Sequence, residues 1–146
     1  MEIQRSGKPF DLDEFLARPL FAHLATGSPD GPRESPVWFL WEHNSIWLIA
    51  DAKSSFPKRI AVEPRCALGF VDFDVAKGFL QHVGMRGEAI VGPLNVDRLY
   101  RLLCRYLGED RGAWKRPFQE GVIDQLDLMI RFEPASVVMR DQSYFK

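Results

Sequence analysis

The sequence IWLIADAKSSFPKRIAVEPR, residues 46–65, contains a strand, a polar loop and a short helix in succession. Its first five residues, Ile46–Ala50, are apolar and predict a buried strand. Ser54 or Ser55 suits the N-cap of the helix that follows, and Pro57 suits its first turn. This stretch therefore predicts a strand that delivers the chain into a helix through a tight polar loop.

The charges of this helix are unusual. Lys58 and Arg59 stand in its first turn, and Lys53 lies just before it. Cations at that end oppose the helix dipole by roughly 0.3–1 kcal/mol each, and acidic residues are the usual choice there. An anion at the helix start, held by backbone N–H groups, by Ser54 and Ser55 and by these cations, would offset the repulsion. The alternative is a solvated basic turn in which the serines only cap the helix, since no Walker-type motif is present.

Length and composition are those of an ordinary globular chain. The 146 residues predict one domain, residues 1–146, and the apolar content of 46% and charged content of 27% are typical of globular proteins. The net charge of −1 argues against nucleic acid or an anionic membrane as a partner. The sequence has no apolar run long enough for a membrane span and no signal-peptide core, so a cytoplasmic protein is expected. Cys66 and Cys104 are expected to be buried free thiols.

The remaining pattern predicts antiparallel strands joined by short turns. Ser28–Gly31 fits a type I turn between two strands, and Asp11 fits the N-cap of a first helix. Pro134 is expected to interrupt the last strand. The fold class is therefore mainly β, an antiparallel sheet of about six strands curled into a barrel with flanking helices. The predicted elements are a helix at residues 11–18, strands within about 20–91 and 126–139, and a helix at about 95–107.

Pro36 marks the stretch Arg33–Trp41 as an edge strand or a bulged one, because proline cannot donate to a ladder. A flat ring ligand could use the backbone groups freed there, and Trp38 or Trp41 could cover its face. Core packing is the alternative reading of these aromatic side chains, and it is the favoured one for Phe39 and Trp41.

The histidines and glycines give a weaker signal. His23, His43 and His82 lack the spacing of metal ligands, so no metal site is predicted. His82 lies in a long strand that Gly84 and Gly87 interrupt, and glycines there mark a bulge or the close approach of a ligand or backbone. No motif predicts a nucleophile or a self-sufficient acid–base pair, and no catalytic residue is assigned. A bound cofactor would therefore carry the reactivity of an enzyme built on this chain.

Three stretches together carry a family resemblance. They are FLARPLFAHLATGSPDGPRESPVWFLW (residues 15–41), IWLIADAKSSFPKRIAVEPRCALGF (46–70) and HVGMRGEAIV (82–91). Their order and spacing resemble the pyridoxamine 5′-phosphate oxidase-like FMN-binding split-barrel family over roughly residues 12–140. The resemblance implies a six-stranded split barrel that forms a homodimer and binds two FMN molecules at the subunit interface.

Carried over residue by residue, the resemblance implies an FMN site. The residues matched to the ring and ribityl chain are Ser35, Pro36, Val37 and Trp38, with Ala50 and Asp51 at the end of the next strand. Those matched to the phosphate are Ser54, Ser55 and Phe56. The residue matched to one that reaches the flavin from the other subunit is His82.

Two departures from the family pattern bear on function. The usual phosphate-binding lysine falls on Phe56 and the arginine before it on Ser55, so Lys53, Lys58 and Arg59 are the candidates to replace them. The C-terminal stretch VVMRDQSYFK has no match to the substrate-binding stretch of the true vitamin B6 oxidases. Oxidation of pyridoxamine phosphate is therefore not expected.

The function expected is that of an FMN-dependent oxidoreductase, or at least an FMN-binding protein, with an unknown small-molecule substrate. Its phosphate clamp would consist of Ser54, Ser55, Lys58 and Arg59. The alternatives are a deazaflavin (F420)-dependent reductase, a non-catalytic flavin- or haem-binding module, and a barrel that binds nothing.

Overall fold

The computed structural model describes residues 1–119 and 123–144. The strands are β1 (Glu2–Ser6), β2 (Ala22–Thr26), β3 (Arg33–Val37), β4 (Leu40–Glu42), β5 (Ser45–Ala50), β6 (Arg65–Asp74), β7 (Phe79–Pro93) and β8 (Leu128–Asp141). The α-helices are α1 (Leu12–Leu16), α2 (Phe56–Val62) and α3 (Val96–Leu107), and short 3-10 turns lie at Arg111–Ala113, Arg116–Phe118 and Ile123–Gln125.

The strands form one curled sheet in the order β3-β2-β6-β7-β8-β5-β4, and β1 pairs in parallel with β8. The pairings along that order are antiparallel. β3 and β4 lie at opposite ends of the order, yet only Trp38 and Phe39 separate them in the chain. Val37 and Leu40 are therefore no more than roughly 11 Å apart, since one residue spans at most about 3.6 Å. The two ends of the sheet have to meet, which confirms the mainly β, split-barrel fold.

The strand count and one proline differ from the prediction. The described residues form eight strands rather than six, because β1 is an additional strand and the stretch Arg33–Trp41 divides into β3 and β4. Pro134 does not interrupt the last strand, since β8 runs through it. Pro134 faces Gly87, where the register between β7 and β8 shifts. At this bulge the ladder is already interrupted, so the N–H that proline lacks is not needed for a ladder hydrogen bond.

The helix ends follow the predicted caps closely. The side chain of Asp11 accepts a hydrogen bond from the N–H of Glu14 at 2.8 Å and caps α1, which ends at Leu16, two residues earlier than predicted. Ser55 occupies the N-cap position of α2 but makes no side-chain capping hydrogen bond. Within the described ranges, no helix has the length and apolarity that crossing a membrane requires.

Two groups of buried side chains hold the fold together. The barrel interior contains four fully buried aromatic rings, those of Phe15, Phe39, Phe70 and Phe132. A second group lies under α3, where three leucines at helical spacing face the sheet. Its members include Leu99, Leu102, Leu103, Trp114 and Met129.

α3 also holds the link between β3 and β4. The guanidinium of Arg105 donates to the backbone carbonyl of Phe39 in that link. It donates as well, at 2.8 Å each, to the carbonyls of Leu16 and Arg18 just after α1. The hydroxyl of Tyr106 accepts a hydrogen bond from the N–H of Phe39 at 3.1 Å. One turn of α3 thus fixes the place where the two ends of the sheet meet.

β4 is tied to α3 by a charge cluster. Glu42 accepts hydrogen bonds from Arg98 at 2.6 Å and from Arg101 at 2.8 Å and 3.0 Å. Arg101, and to a smaller extent Arg98, lowers the pKa of Glu42 to about 2. Arg98 also lies over the ring of Trp47, 3.5 Å from its centroid.

We expect Gly87→Ala to destabilise the protein by about 2 kcal/mol or more and Gly69→Ala to change its stability by less than about 1 kcal/mol. A Cβ on Gly87 would lie 2.0 Å from the carbonyl oxygen of Glu133, which belongs to the adjacent strand. A Cβ on Gly69, on the neighbouring strand β6, would meet no atom within 4 Å. Urea unfolding measures both variants, and equal stabilities would contradict the close approach at the bulge.

Removing the charge of Glu42 should destabilise the protein at neutral pH and should matter less in acid. Its folded pKa of about 2 lies below the ordinary value of 4.5, so the stabilisation is complete above that value and is lost as the pH falls toward 2. After solvent screening we expect Glu42→Gln to lose about 1–2 kcal/mol at neutral pH. Urea unfolding near pH 7 and near pH 3 tests this, because the gap between wild type and variant should narrow in acid. If the difference in the free energy of unfolding were the same at both pH values, the charge of the Glu42 carboxylate could not be its cause.

Candidate functional site

A cavity of about 810 Å³ lies between the loop that follows β2 and one side of α2, and its volume is typical of small-molecule sites. We call it the basic cavity. The loop contributes Gly27, Ser28 and Pro29, and the opposite wall carries the cationic side chains of Lys58, Arg59 and Arg65.

The three cations of the basic cavity differ in their partners. Arg65 forms a two-point pair with Glu63, and its hydrogen bonds lower the pKa of that carboxyl to about 2. Arg59 instead donates from Nε to the hydroxyl of Thr26 at 2.7 Å. In the described part of the chain, neither Lys58 nor Arg59 forms an ion pair with a carboxylate. Their charges are therefore available to a bound anion.

The position of Arg59 follows from the strand register. Thr26 is the last residue of β2 and is buried, and it pairs with Cys66 at the start of β6. α2 ends at Val62, so only two residues separate it from β6. This short connection brings α2 against the end of β2, where Thr26 can orient the Arg59 guanidinium.

A second cavity of about 580 Å³ lies beside the first on the outer face of the sheet, and we call it the apolar groove. Its floor includes Ala25, Ala67 and Gly87, which lie on three neighbouring strands. Gly27 and Arg65 line both cavities, so the two adjoin. A ligand in the groove would therefore have a cationic wall at one end.

Cys66 and two charged residues complete the groove. Burial raises the pKa of the Cys66 thiol to about 11, so this side chain is uncharged at neutral pH and acts as an apolar wall. Arg86 and Glu88 of β7 also line the groove, and both are exposed. The groove is thus apolar inside and charged along the β7 side.

The strand predicted to contact a ring ligand lies at the edge of the sheet. β3 ends the strand order, as Pro36 predicts, and Pro36 itself is exposed on the outer face opposite His23. Ser35 and Val37 are half-buried on the other face of this strand. The backbone of β3 is accessible from the side that faces no other strand.

The aromatic residues that follow β3 take part in packing. The ring of Trp38 stacks on Tyr106, with centroids 4.5 Å apart and planes within 3°, and lies 5.7 Å from the ring of Phe118. Phe39 is fully buried and Trp41 packs against the barrel core, as predicted. Trp38 therefore anchors the end of β3 to α3, and its contact with a ring ligand stays a prediction.

The residues predicted at the end of β5 form a self-contained loop. Ala50 is buried, and the carboxylate of Asp51 accepts hydrogen bonds from the N–H groups of Lys53 at 2.8 Å and Ser54 at 2.9 Å. The hydroxyl of Ser54 contacts the same carboxylate at 3.3 Å. Within one chain, the carboxylate of Asp51 thus binds the N–H and the hydroxyl of Ser54, a residue that the sequence predicts to bind phosphate.

The structure divides the predicted phosphate clamp into two parts. Lys58 and Arg59 line the basic cavity along the side of α2, whereas Ser54 faces Asp51 and Phe56 packs against the barrel core. Lys58 and Arg59 therefore meet beside the helix and next to the loop after β2, and the anion position at the helix start stays a prediction.

His82 lies apart from these residues within one chain. It is half-buried on the outer face of β7, and burial, with a smaller influence from Arg140, lowers its pKa. Five residues along a strand, from His82 to Gly87, span roughly 16 Å. His82 is therefore too far along β7 to contact the apolar groove of its own chain.

Sequence reasoning does not single out Thr26, Gly27 or Arg65 as site residues. All three belong to stretches that carry the family resemblance, yet no local pattern indicates that they meet. The β2–β6 register, which pairs Thr26 with Cys66, brings them together. The part of the chain that the structure describes contains no group of three or more His, Cys, Asp or Glu that could hold a metal ion.

The chemistry of the two cavities fits a ligand with a phosphate at one end and a flat apolar ring system beside it. Lys58 and Arg59 supply charge-assisted donors for phosphate oxygens. The groove supplies apolar contact through Ala25, Ala67 and Cys66. An FMN-sized ligand has both features, so the residues present fit such a cofactor.

The sequence model of the family described as pyridoxamine 5′-phosphate oxidase matches residues 11–140. No curated protein matches the chain.

Solved structures with the same fold include proteins of several functions. A conserved hypothetical protein of Mycobacterium tuberculosis, Rv2991, is 23% identical with a TM-score of 0.72, and the match covers 94% of this chain and 89% of that one. An F420 reductase is 25% identical with a TM-score of 0.68, covering 89% of this chain and 98% of the other. The flavocytochrome Anf3 of Azotobacter vinelandii is 11% identical with a TM-score of 0.69, covering 94% and 70%.

Proposed function

This chain belongs to the pyridoxamine 5′-phosphate oxidase family, and from that membership we propose that it binds FMN and acts as a flavin-dependent oxidoreductase on a small molecule. The observation that carries the proposal is that the basic cavity and the apolar groove adjoin at Gly27 and Arg65. This arrangement complements a phosphate attached to a flat ring system. Bound FMN would supply hydride transfer at its ring.

In this proposal the chain binds the phosphate and orients the ring. Lys58 and Arg59 bind the phosphate, and Thr26 holds the Arg59 guanidinium before the ligand arrives. Such preorganisation lowers the entropy lost on binding. Apolar contact in the groove excludes water from one face of the ring.

The residues assigned by resemblance have different roles in the proposal. Ser35, Pro36 and Val37 provide backbone groups at the free edge of β3, and Trp38 positions that edge by stacking on Tyr106. Ala50, Asp51, Ser54 and Ser55 shape the loop before α2, and Phe56 fixes that helix on the core.

We also propose a homodimer in which the partner's His82 approaches the ring. An apolar patch of Phe21, Val71 and Phe73 lies exposed on the outer face, on β6 and just before β2. This patch and the apolar groove occupy opposite ends of β6, so a second copy could cover the patch without closing the groove. Burial of exposed apolar area favours such an association.

The deazaflavin F420 is the second candidate cofactor. The F420 reductase is the structural relative of highest identity reported above, and it is matched over almost its whole length. Arg86 at the groove margin adds one cation for an acidic tail. Haem is a third candidate, because a haem storage protein, HutZ of Vibrio cholerae, shares the fold with a TM-score of 0.60 at 14% identity.

We expect Lys58→Ala combined with Arg59→Ala to weaken FMN binding by about tenfold or more and riboflavin binding by less than about twofold, because only FMN carries the phosphate. Flavin fluorescence titration measures both ligands. Lys53→Ala is the matched control, since Lys53 lies in the loop held by Asp51 and does not line the basic cavity.

Three observations, from that titration, from an F420 titration and from the absorption spectrum, would contradict the proposal. Equal losses for both ligands would exclude the phosphate assignment. Tight F420 binding with no FMN binding would favour the deazaflavin reductase. A sharp violet absorption band in the purified protein, lost on replacing His82 or His23, would favour haem.

The dimer proposal predicts that Phe73→Glu produces a monomer, because the charge cannot be buried in an apolar contact without a large cost. Light scattering coupled to size-exclusion chromatography measures the mass. Ile90→Glu is the matched control, because Ile90 is exposed on β7 well away from the patch. A wild-type protein that is monomeric at micromolar concentration would overturn the assembly.

A further inference from the structure

A histidine–glutamate pair lies beside the apolar groove. Nδ1 of His23 is 2.5 Å from Oε1 of Glu34, and both side chains are about half exposed, at 52% and 55%. The pair crosses from β2 to β3 on the outer face, diagonal to the Ala25–Glu34 and His23–Pro36 pairings. A carboxylate in this position accepts the Nδ1–H and fixes the orientation of the imidazole ring.

The strand register places this pair at the edge of the groove. Ala25, which faces Glu34 on β3 and Ala67 on β6, lines the groove. On the other side of His23, the residue that it faces on β6 is Gly69, which has no side chain. The imidazole therefore stands at the edge of the groove, without a larger side chain beside it on β6.

Few other charged groups share this part of the outer face. On β6 the outward positions nearest His23 are uncharged. On β7 the nearest titratable or charged outward residues are His82 and Arg86, one strand further away. The titratable and charged groups nearest to His23 on this face are therefore Glu34 on the adjacent strand β3, and His82 and Arg86 on β7, beyond β6.

We propose that His23 is a ligand-binding residue of the apolar groove, whose Nε2 donates a hydrogen bond to a carbonyl oxygen of a planar heteroaromatic ligand anchored by its phosphate in the basic cavity. The inference rests on the proposed function, because it takes the flavin ring as that ligand. Glu34 orients the imidazole and offsets its charge. Thr26, which holds Arg59, is three residues from His23 on β2, a separation of roughly 10 Å, so one extended ligand can contact both ends.

This arrangement makes binding depend on protonation in a defined direction. Because Glu34 accepts the Nδ1–H, Nε2 carries a proton only when the imidazole is charged. Deprotonation leaves the single N–H with Glu34, and Nε2 can then no longer donate. Ring binding should therefore be stronger when the imidazole is protonated than when it is neutral.

Riboflavin is the probe for the test, because it carries the flavin ring without the phosphate, whose own ionisation would otherwise contribute. We expect the riboflavin dissociation constant of wild type to rise about fivefold or more between mildly acidic and mildly alkaline pH. His23→Gln should bind riboflavin with no such pH dependence, since an amide donates at every pH. Glu34→Gln should reduce the pH dependence, because an amide can donate to Nδ1 and thereby permits the neutral tautomer that carries its proton on Nε2.

Controls and a second readout separate this role from a structural one. His43→Asn is the matched control, since His43 lies in the β4–β5 turn with φ of 54°, which asparagine tolerates, and it should keep the wild-type pH dependence. Imidazole NMR shifts should show His23 responding to riboflavin while His43 does not. Urea unfolding establishes that His23→Gln and Glu34→Gln remain folded.

The outcomes distinguish this inference from the proposed function. Riboflavin binding whose pH dependence is unchanged in His23→Gln, or absent from wild type, overturns the role of His23 and leaves FMN binding untouched. Suppose that Lys58→Ala combined with Arg59→Ala weakens FMN and riboflavin binding equally, while His23→Gln still abolishes the pH dependence of riboflavin binding. That result would overturn the phosphate assignment alone. A wild-type protein that binds neither flavin overturns both.

Discussion

The two-residue connection between β3 and β4 is the constraint on which the rest of the structure depends. It joins the first and last strands of the sheet order, so the sheet cannot stay open. Arg105 and Tyr106 of α3 hold this connection through the backbone of Phe39. A partly buried guanidinium is costly unless its donors are satisfied, and that of Arg105 donates to three backbone carbonyls. The curvature of the sheet is therefore fixed at the connection between β3 and β4. The other strands adopt the same curvature through their antiparallel pairing.

The candidate site is a consequence of that curvature together with one short connection. Only Glu63 and Pro64 separate α2 from β6, and the register puts the start of β6 beside the end of β2. α2 must then lie against the loop after β2, and its exposed side turns Lys58 and Arg59 toward that loop. The cations that oppose the helix dipole are thus directed to one cavity. Thr26 keeps one of them in place at the cost of a single buried hydroxyl.

Local pattern was sufficient for the fold and for part of the site. Alternating apolar residues, turn prolines and helix caps predict the strands and helices near their observed ends, and the proline in β3 predicts an edge strand. The same reasoning misjudges Pro134, because a bulge opposite Gly87 is a property of two strands and not of either sequence alone. It does not foresee that the hydroxyl of Ser54, which it assigns to an anion, contacts the carboxylate of Asp51 within one chain, because nothing local indicates that contact. Residues such as Thr26 and Arg65 are brought together only by strand register, which a single sequence does not encode locally.

The outer face of the sheet divides into regions with different chemistry, and this division decides how a ligand would be oriented. The basic cavity lies at the Thr26 end of β2, whereas the apolar patch of Phe21, Val71 and Phe73 lies at the other end. The His23–Glu34 pair stands between them, beside the groove. A ligand with one charged end has a single favourable direction on such a surface, because reversing it would put a phosphate against apolar side chains and away from its cations. The orientation of such a ligand would thus be fixed by electrostatics at one end, and its ring would lie next to the His23–Glu34 pair.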